Sequence, residues 1–257
     1  MCLLFLSYRT TPGYRLVVAA NRDEFLRRPT APLAFLDAKK TILAGQDLQG
    51  RGTWLGITAQ LKFAAITNYR QPGANREDAP SRGEILVDYL TGQQDAEYSV
   101  HALAENDAGY NGFNLLLGDR KELFYYSNRS VGPQLLAPGF YGLSNHLLDT
   151  PWPKVIRGKA LLYRDMVETK HLDPMRLFDS LADNFRPPDE QLPDTKIGLE
   201  WERLLSTICI DGADYGTRSS AVITVSDSGH IEFIEKTIHR SAVQGITSKF
   251  VRQVMQA

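Results

Sequence analysis

The chain has 257 residues, of which 43% are hydrophobic and 23% charged, a composition typical of a soluble globular protein and unlike that of a disordered or coiled-coil chain. Its 29 Lys and Arg nearly balance 30 Asp and Glu, so the net charge of -1 indicates neither nucleic acid nor an anionic membrane as partner. No apolar stretch approaches the roughly 18 residues of a membrane span, and Leu3 to Leu6 is too short for a signal peptide. We expect a cytoplasmic protein that binds a small-molecule ligand or substrate, with the oligomeric state left open.

The two cysteines, Cys2 and Cys209, are better explained as reduced thiols than as a disulfide framework. The five histidines are scattered, and no set of His, Cys and carboxylate residues has the spacing of metal ligands. We therefore expect no metal and no resident cofactor.

The first seventy residues predict β-structure. Residues 2–7 and 16–20 are apolar at both alternating positions, which is typical of strands inside a layered structure. The turn-like "TTPG" between them predicts a hairpin, and "TWLGIT" with "KFAAITNY" predicts a second pair of strands.

Capping signals predict the helices. Ser81 with Glu84 three residues later forms a capping box before an apolar helical pattern. Thr150 as cap, with Pro151 in the tolerated first turn, predicts the start of a longer helix. Two more helices are predicted over 96–105 and 175–184.

Strands are predicted again over 113–117, 122–127 and 140–143, and a final hairpin turns at 227–229. No repeat or shift in composition marks a boundary, so we predict one domain spanning 1–257. Strands first, helices in the middle and strands last suit an α+β sandwich whose sheets pack together beneath helices.

Cys2 follows Met1 directly. Removal of Met1, which occurs before a small side chain, would give Cys2 a free α-amine beside its thiol. The unperturbed pKa of such an amine is about 8, so the amine can accept the thiol proton. This is the logic of N-terminal-nucleophile catalysis. The alternative is a buried cysteine that packs as a small apolar side chain.

The stretch "VVAANRDEF" ends an apolar strand in four polar residues. Alternation places Arg22 on the face of the strand opposite to Asn21 and Asp23. A buried arginine needs a carboxylate, which Asp23, Glu24 or a substrate would supply. The alternative is a solvated strand end followed by a turn.

Several segments carry a resemblance to a known family: "NRDE" at 21–24, "GTWLGI" at 52–57, "TNYR" at 67–70, "YNGFNLLLGD" at 110–119, "GLSNHLLDTPWPKV" at 142–155 and "YGTRSSAVITV" at 215–225. With Cys2 before them, they resemble the NRDE family, whose animal members are called transport and Golgi organization 2. The matches run in order along almost the whole chain. One departure is Arg51, because the family usually has two glycines before "TWLG".

That family resembles N-terminal-nucleophile hydrolases of the choloylglycine hydrolase and penicillin V acylase branch, which implies a four-layer αββα fold. Cys2 matches the nucleophile, and Arg22 and Asp23 match a charged pair, although the branch separates its pair by two residues. Asn145 resembles an asparagine that donates to the oxyanion, and Arg218 resembles a late arginine near the nucleophile.

Other interpretations remain for these residues. Asn145 also suits an Asx-turn or helix cap, and Arg218 a surface strand end. The residues expected to contact substrate or line its pocket are Asn21, Glu24, Asn68, Arg70 and Trp54.

Two functions follow from the resemblance. The first is a hydrolase that cleaves an amide or thioester of a small acyl substrate through Cys2. The second is a non-catalytic carrier on the same scaffold, with haem or an acyl-CoA ester as bound ligand, because animal relatives are linked with haem movement and lipid or coenzyme A metabolism.

Overall fold

The structure is a computed structural model that describes residues 2–239 and 242–252. Its strands are β1 (Cys2–Thr11), β2 (Tyr14–Phe25), β3 (Thr30–Phe35), β4 (Ile42–Asp47), β5 (Leu55–Thr58), β6 (Phe63–Asn68), β7 (Phe113–Gly118), β8 (Leu123–Ser127), β9 (Gln134–Leu135), β10 (Gly139–Leu143), β11 (Tyr215–Ser226), β12 (His230–His239) and β13 (Ala242–Arg252). Its α-helices are α1 (Arg82–Thr91), α2 (Ala96–Ala104), α3 (Pro153–Met166), α4 (Pro174–Leu181) and α5 (Leu199–Leu204).

The strands form two antiparallel sheets. The first has the order β10-β1-β2-β11-β12-β13, and the second runs from β3 to β9 in chain order. β1 therefore lies inside the first sheet, with a hydrogen-bonded neighbour on each side.

Three apolar clusters separate four layers. The first lies between the two sheets and contains Leu6, Val18 and Phe63. The second joins the first sheet to α3 and α4, and the third joins the second sheet to α1 and α2. Strands buried on both faces thus confirm the predicted αββα sandwich, because each sheet packs on the other sheet and on helices.

The predicted hairpin of β1 and β2 is confirmed, and its turn uses Gly13 with a φ of +80°. The register pairs Cys2 with Arg22 and Leu3 with Asn21. The "NRDE" segment is therefore fixed beside the first described residue.

Of the two predicted helix caps, the position of the first is confirmed without its capping bond, and the second is wrong. Ser81 is the N-cap of α1, but its side chain makes no capping bond, so the capping box does not form. The cap of α3 is Trp152, and Pro153 is in the first turn. The Thr150 hydroxyl instead lies 2.9 Å from His146 Nδ1, a local contact within the loop before α3 that competes with a capping bond.

The elements that were not predicted from the sequence are β3, β4, β9, β13 and α5. β3, β9 and β13 lie at sheet edges or beside them, where alternation is weak and pairing depends on the neighbouring strand. The single domain over 1–257 stays a prediction. No helix of the described residues has the length and apolar character needed to cross a bilayer.

Candidate functional site

Cys2 lies at the end of an interior strand and lines a pocket of about 470 Å³, which we call the Cys2 pocket. Arg22, Asp23 and Glu24 from the end of β2 line the same pocket. Antiparallel pairing explains the grouping, because the start of β1 must face the end of β2. Cys2 is partly exposed as a residue, and the exposed part borders the pocket.

Burial raises the pKa of the Cys2 thiol, and the charge of Asp23 raises it further, while Arg22 opposes the change. At neutral pH the sulfur is therefore mainly protonated, and a base must take the proton before the sulfur can attack. Met1, whose removal would expose an α-amine as that base, lies outside the described residues.

Arg22 lies on the predicted face of β2, between the sheets, with 4% of its surface exposed. Its partner is neither Asp23 nor Glu24: Nη2 lies 3.3 Å from Asp47 Oδ2, and the guanidinium lies 4.4 Å from the ring centroid of Trp54. The sequence could not identify Asp47, because it comes from the other sheet. Trp54 lines the Cys2 pocket, as expected from the sequence, and its ring makes a cation–π contact with Arg22.

Asn21 lies on the opposite face of β2 and joins the sheet to the helices. Its Nδ2 donates to the carbonyl oxygens of Leu181 at 2.8 Å and Ile208 at 2.9 Å. Its Oδ1 accepts a bond of 2.6 Å from Ser220. The structure therefore places Asn21 outside the pocket lining, in a supporting position.

Asp23 is fully buried, and burial raises its pKa. Its Oδ1 accepts a hydrogen bond of 2.7 Å from Thr217, and its backbone oxygen accepts one of 2.9 Å from Tyr215. The charge of Lys154 acts against the rise in the Asp23 pKa. Asp23 is therefore held in place in the wall of the Cys2 pocket by several neighbours.

Lys154 was missed in the sequence analysis. It lies in the first turn of α3 with 3% of its surface exposed, and burial lowers its pKa to about 8 although Asp23 acts in the opposite direction. A signal was present, because Lys154 shares the buried helical stripe of Gly158 and Leu162 at intervals of four residues.

Asn145 is buried, does not line the Cys2 pocket and is bonded to the end of β6. Its Nδ2 donates to the Asn68 carbonyl at 3.0 Å, and its own carbonyl accepts from the Arg70 N–H at 2.7 Å. None of these bonds is that of an Asx-turn or a helix cap, which was the alternative interpretation of Asn145. Asn68 lines the Cys2 pocket.

Arg70 forms a buried ion pair, with Nη1 2.8 Å from Glu202 Oε2, and it stacks on Trp152 at 4.6 Å. Arg218 Nη1 donates to the carbonyls of Phe25 and Arg28, and so holds the chain that follows β2. These two arginines are not among the residues that line the Cys2 pocket.

The predicted site residues therefore fall into two groups. Those that line the pocket are Cys2, Arg22, Asp23, Glu24, Asn68 and Trp54, whereas Asn21, Asn145, Arg70 and Arg218 do not line it. Within the described part of the chain, no three His, Cys, Asp or Glu side chains are grouped as a metal site.

Comparisons with known proteins agree with this architecture. The family model described as Transport and Golgi organisation 2 matches residues 1–240. The Transport and Golgi organization protein 2 homologues of Bos taurus and Homo sapiens are each 38% identical to this chain, over 93% of this chain and 93% of their own length. The Drosophila melanogaster protein is 29% identical over 93% of this chain and 92% of its own.

Among solved structures, the N-acylethanolamine-hydrolyzing acid amidase ortholog of Caenorhabditis elegans is similar in fold. It has a TM-score of 0.53 and 12% identity, and the alignment covers 86% of this chain and 92% of that one. At this identity the likeness concerns the fold, an N-terminal-nucleophile hydrolase sandwich.

Proposed function

The chain belongs to the Transport and Golgi organisation 2 family, and we propose that it is an N-terminal-cysteine hydrolase that cleaves an amide or thioester of a small acyl substrate. One observation carries the proposal. Cys2 lies at the reachable end of an interior strand, in the wall of a polar pocket, on a hydrolase-like scaffold. A buried cysteine with a purely packing role would need no such opening.

Because burial raises the pKa of the Cys2 thiol, the mechanism requires a base that takes the thiol proton. After removal of Met1, the α-amine of Cys2 takes the thiol proton, and the thiolate attacks the substrate carbonyl carbon. Collapse of the tetrahedral intermediate breaks the amide or thioester bond, and the proton passes to the leaving amine or thiol. Water then attacks the acyl-enzyme and releases a carboxylic acid and the free Cys2 thiol.

Asp23 and Lys154 suit a supporting role in this scheme. A buried carboxyl group next to Cys2 can hold an α-ammonium group in one orientation, and the Lys154 charge favours the ionised carboxylate. We assign Asp23 to positioning the amine and Arg22 to setting the charge near the sulfur, since Arg22 lowers the thiol pKa.

Asn68 is the proposed oxyanion donor, because it lines the Cys2 pocket, and Asn145, which does not line the pocket, is assigned to holding Asn68 in position. The Asn145 amide has two N–H donors, of which one binds the Asn68 carbonyl, and the Asn68 side chain belongs to the pocket wall. Loss of one preorganised donor typically lowers kcat by about 10²- to 10³-fold.

The experiment compares Cys2→Ala with Cys209→Ala on a panel of acyl p-nitroanilides and acyl thioesters. Cys209 is the matched control, because it is a buried cysteine outside the Cys2 pocket. Cys2→Ala should abolish turnover and Cys209→Ala should retain it, and mass spectrometry of the intact protein should show loss of Met1.

Equal turnover in the parent and Cys2→Ala proteins would contradict the proposal. So would a tight one-to-one complex of the parent with haemin or an acyl-CoA and no product from any substrate, which is the behaviour of a carrier.

A further inference from the structure

Arg82, the first residue of α1, lines the Cys2 pocket but was not among the predicted site residues. Two glycines bring it there. A Cβ atom on Gly52 would lie 2.4 Å from the Gly83 carbonyl carbon, and one on Gly83 would lie 2.9 Å from the Thr53 oxygen. The backbones thus touch, and the first turn of α1 is pressed against the loop before β5. This contact fixes Arg82 at the pocket wall.

The other arginines near the thiol have carboxylate partners. Arg22 pairs with Asp47 at 3.3 Å, and Arg28 pairs with the same carboxylate at 2.7 Å and with Glu24 at 3.9 Å. The backbone N–H groups of the loop after β4 complete the shell of Asp47. The positive charges of Arg22 and Arg28 are therefore largely compensated inside the protein.

Arg82 is in a different position. Its Nη1 donates to the neutral carbonyl of Gly112 at 2.9 Å, and it takes part in none of the ion pairs between described residues. Burial lowers its pKa and the nearby charge of Arg28 lowers it further, while Glu24 and Cys2 act in the opposite direction. An arginine nevertheless stays charged at neutral pH. The wall therefore holds a weakly compensated cation within electrostatic reach of the thiol.

We infer that Arg82 is a specificity-determining residue that binds an anionic oxygen group of the substrate, a carboxylate or phosphate, while the scissile carbonyl lies at Cys2. The inference rests on the proposed function, since it names the substrate class of the same site. The guanidinium fork fits either anion, and its bond to Gly112 orients it. A pocket of about 470 Å³ suits a small acyl compound with such a group at its other end.

The test measures binding to the Cys2→Ala protein, so turnover is not needed. Calorimetry compares succinamate with its neutral diamide, succinamide, which has nearly the same shape. Succinamate should bind at least about tenfold more tightly, as expected for one charge-assisted contact. Adding Arg82→Gln should abolish this preference, and Arg82→Lys should restore part of it.

Arg129→Gln is the matched control, because Arg129 bonds to Gln71 and Asn128 and does not line the pocket. It should keep the preference for succinamate. Competition with acetate and inorganic phosphate separates the two anions: displacement by acetate assigns a carboxylate site, and displacement by phosphate alone assigns a phosphate site.

Equal binding of succinamate and succinamide, a preference that survives Arg82→Gln in a folded protein, or no displacement by either anion would overturn the inference. A preference for succinamate that depends on Arg82, combined with a parent protein that hydrolyses no substrate, would instead support the anion subsite and contradict only the proposed hydrolase activity.

Discussion

The Cys2 pocket and a groove beside α3 have nearly the same volume, about 470 and about 480 Å³, but opposite chemistry. Charged and amide side chains line the first. The second, which we call the α3 groove, is lined mainly by apolar residues such as Pro151, Ile156, Leu161 and Phe185. Volume therefore does not identify the site, whereas the presence of a nucleophile with polar neighbours does.

One residue of the α3 groove is linked electrostatically to the Cys2 pocket. Lys154 lines the α3 groove and interacts electrostatically with Asp23 and Cys2. Lys154 is therefore a buried cation between the polar and the apolar region, and the first prediction concerns its effect on stability.

Lys154→Met should remove a pH dependence of stability. The folded-state pKa of Lys154 is about 8, below the ordinary 10.5, so between these values the unfolded chain holds a proton that the folded chain has released. The contribution of Lys154 to the free energy of unfolding therefore rises with pH between these two values, by about 3 kcal/mol in total. The free energy of unfolding in urea, parent minus Lys154→Met, should increase between pH 8 and 10.

Lys154→Gln serves as the polar control for this measurement and should behave as Lys154→Met does, because neither side chain titrates. A difference that stays flat from pH 8 to 10 would show that folding does not lower the pKa of the Lys154 amine.

Gly158→Ala should disrupt the apolar side, where α3 packs on the first sheet. The added Cβ would lie 2.0 Å from Phe5 Cζ, and Phe5 is fully buried. We expect a loss of about 2 kcal/mol in the free energy of unfolding, after allowance for the better helix propensity of alanine.

Phe5→Leu in the same chain should recover much of that loss, because it removes the ring that the new methyl group meets. If the double variant is no more stable than Gly158→Ala alone, the close packing of Gly158 on Phe5 is not the cause.

Arg51→Gly should give the smallest effect, on the polar side. Arg51 has a φ of +54°, a left-handed conformation that glycine adopts without cost. This is the position where the family usually has a glycine, so the departure noted in the sequence is a locally strained one. Stability should rise by about 0.5 kcal/mol, since relief of strain exceeds the added entropy of the unfolded chain.

Arg51→Ala is the control and should show no gain, because alanine keeps the Cβ. Thermal unfolding of the three proteins gives the comparison, and an equal gain in both variants would assign the effect to the arginine side chain.

Much of the fold could be predicted from local pattern. Apolar residues on both faces of 2–7 and 16–20 required layers on both sides of a sheet, and strict alternation placed Arg22 and Asn21 on opposite faces. Short strands such as β3 and β9 could not be predicted in this way, because they exist through pairing with a neighbour.

The site divides in the same manner. Cys2 and the "NRDE" residues could be found from the sequence, because one hairpin brings them together over a separation of about twenty residues. Lys154 and Arg82 come from helices on opposite layers of the sandwich, and no local pattern connects them to Cys2. Asp47 likewise reaches Arg22 from the other sheet.

The sequence by itself thus determined the layers, the first hairpin and the side of β2 on which each polar residue lies, since periodicity fixes side-chain direction. Only the tertiary structure decided which charges meet. The pairing of Arg22 with Asp47, the burial of Lys154 near Asp23 and the lack of an ion-pair partner for Arg82 within the described chain all depend on how sheets and helices pack across large sequence separations.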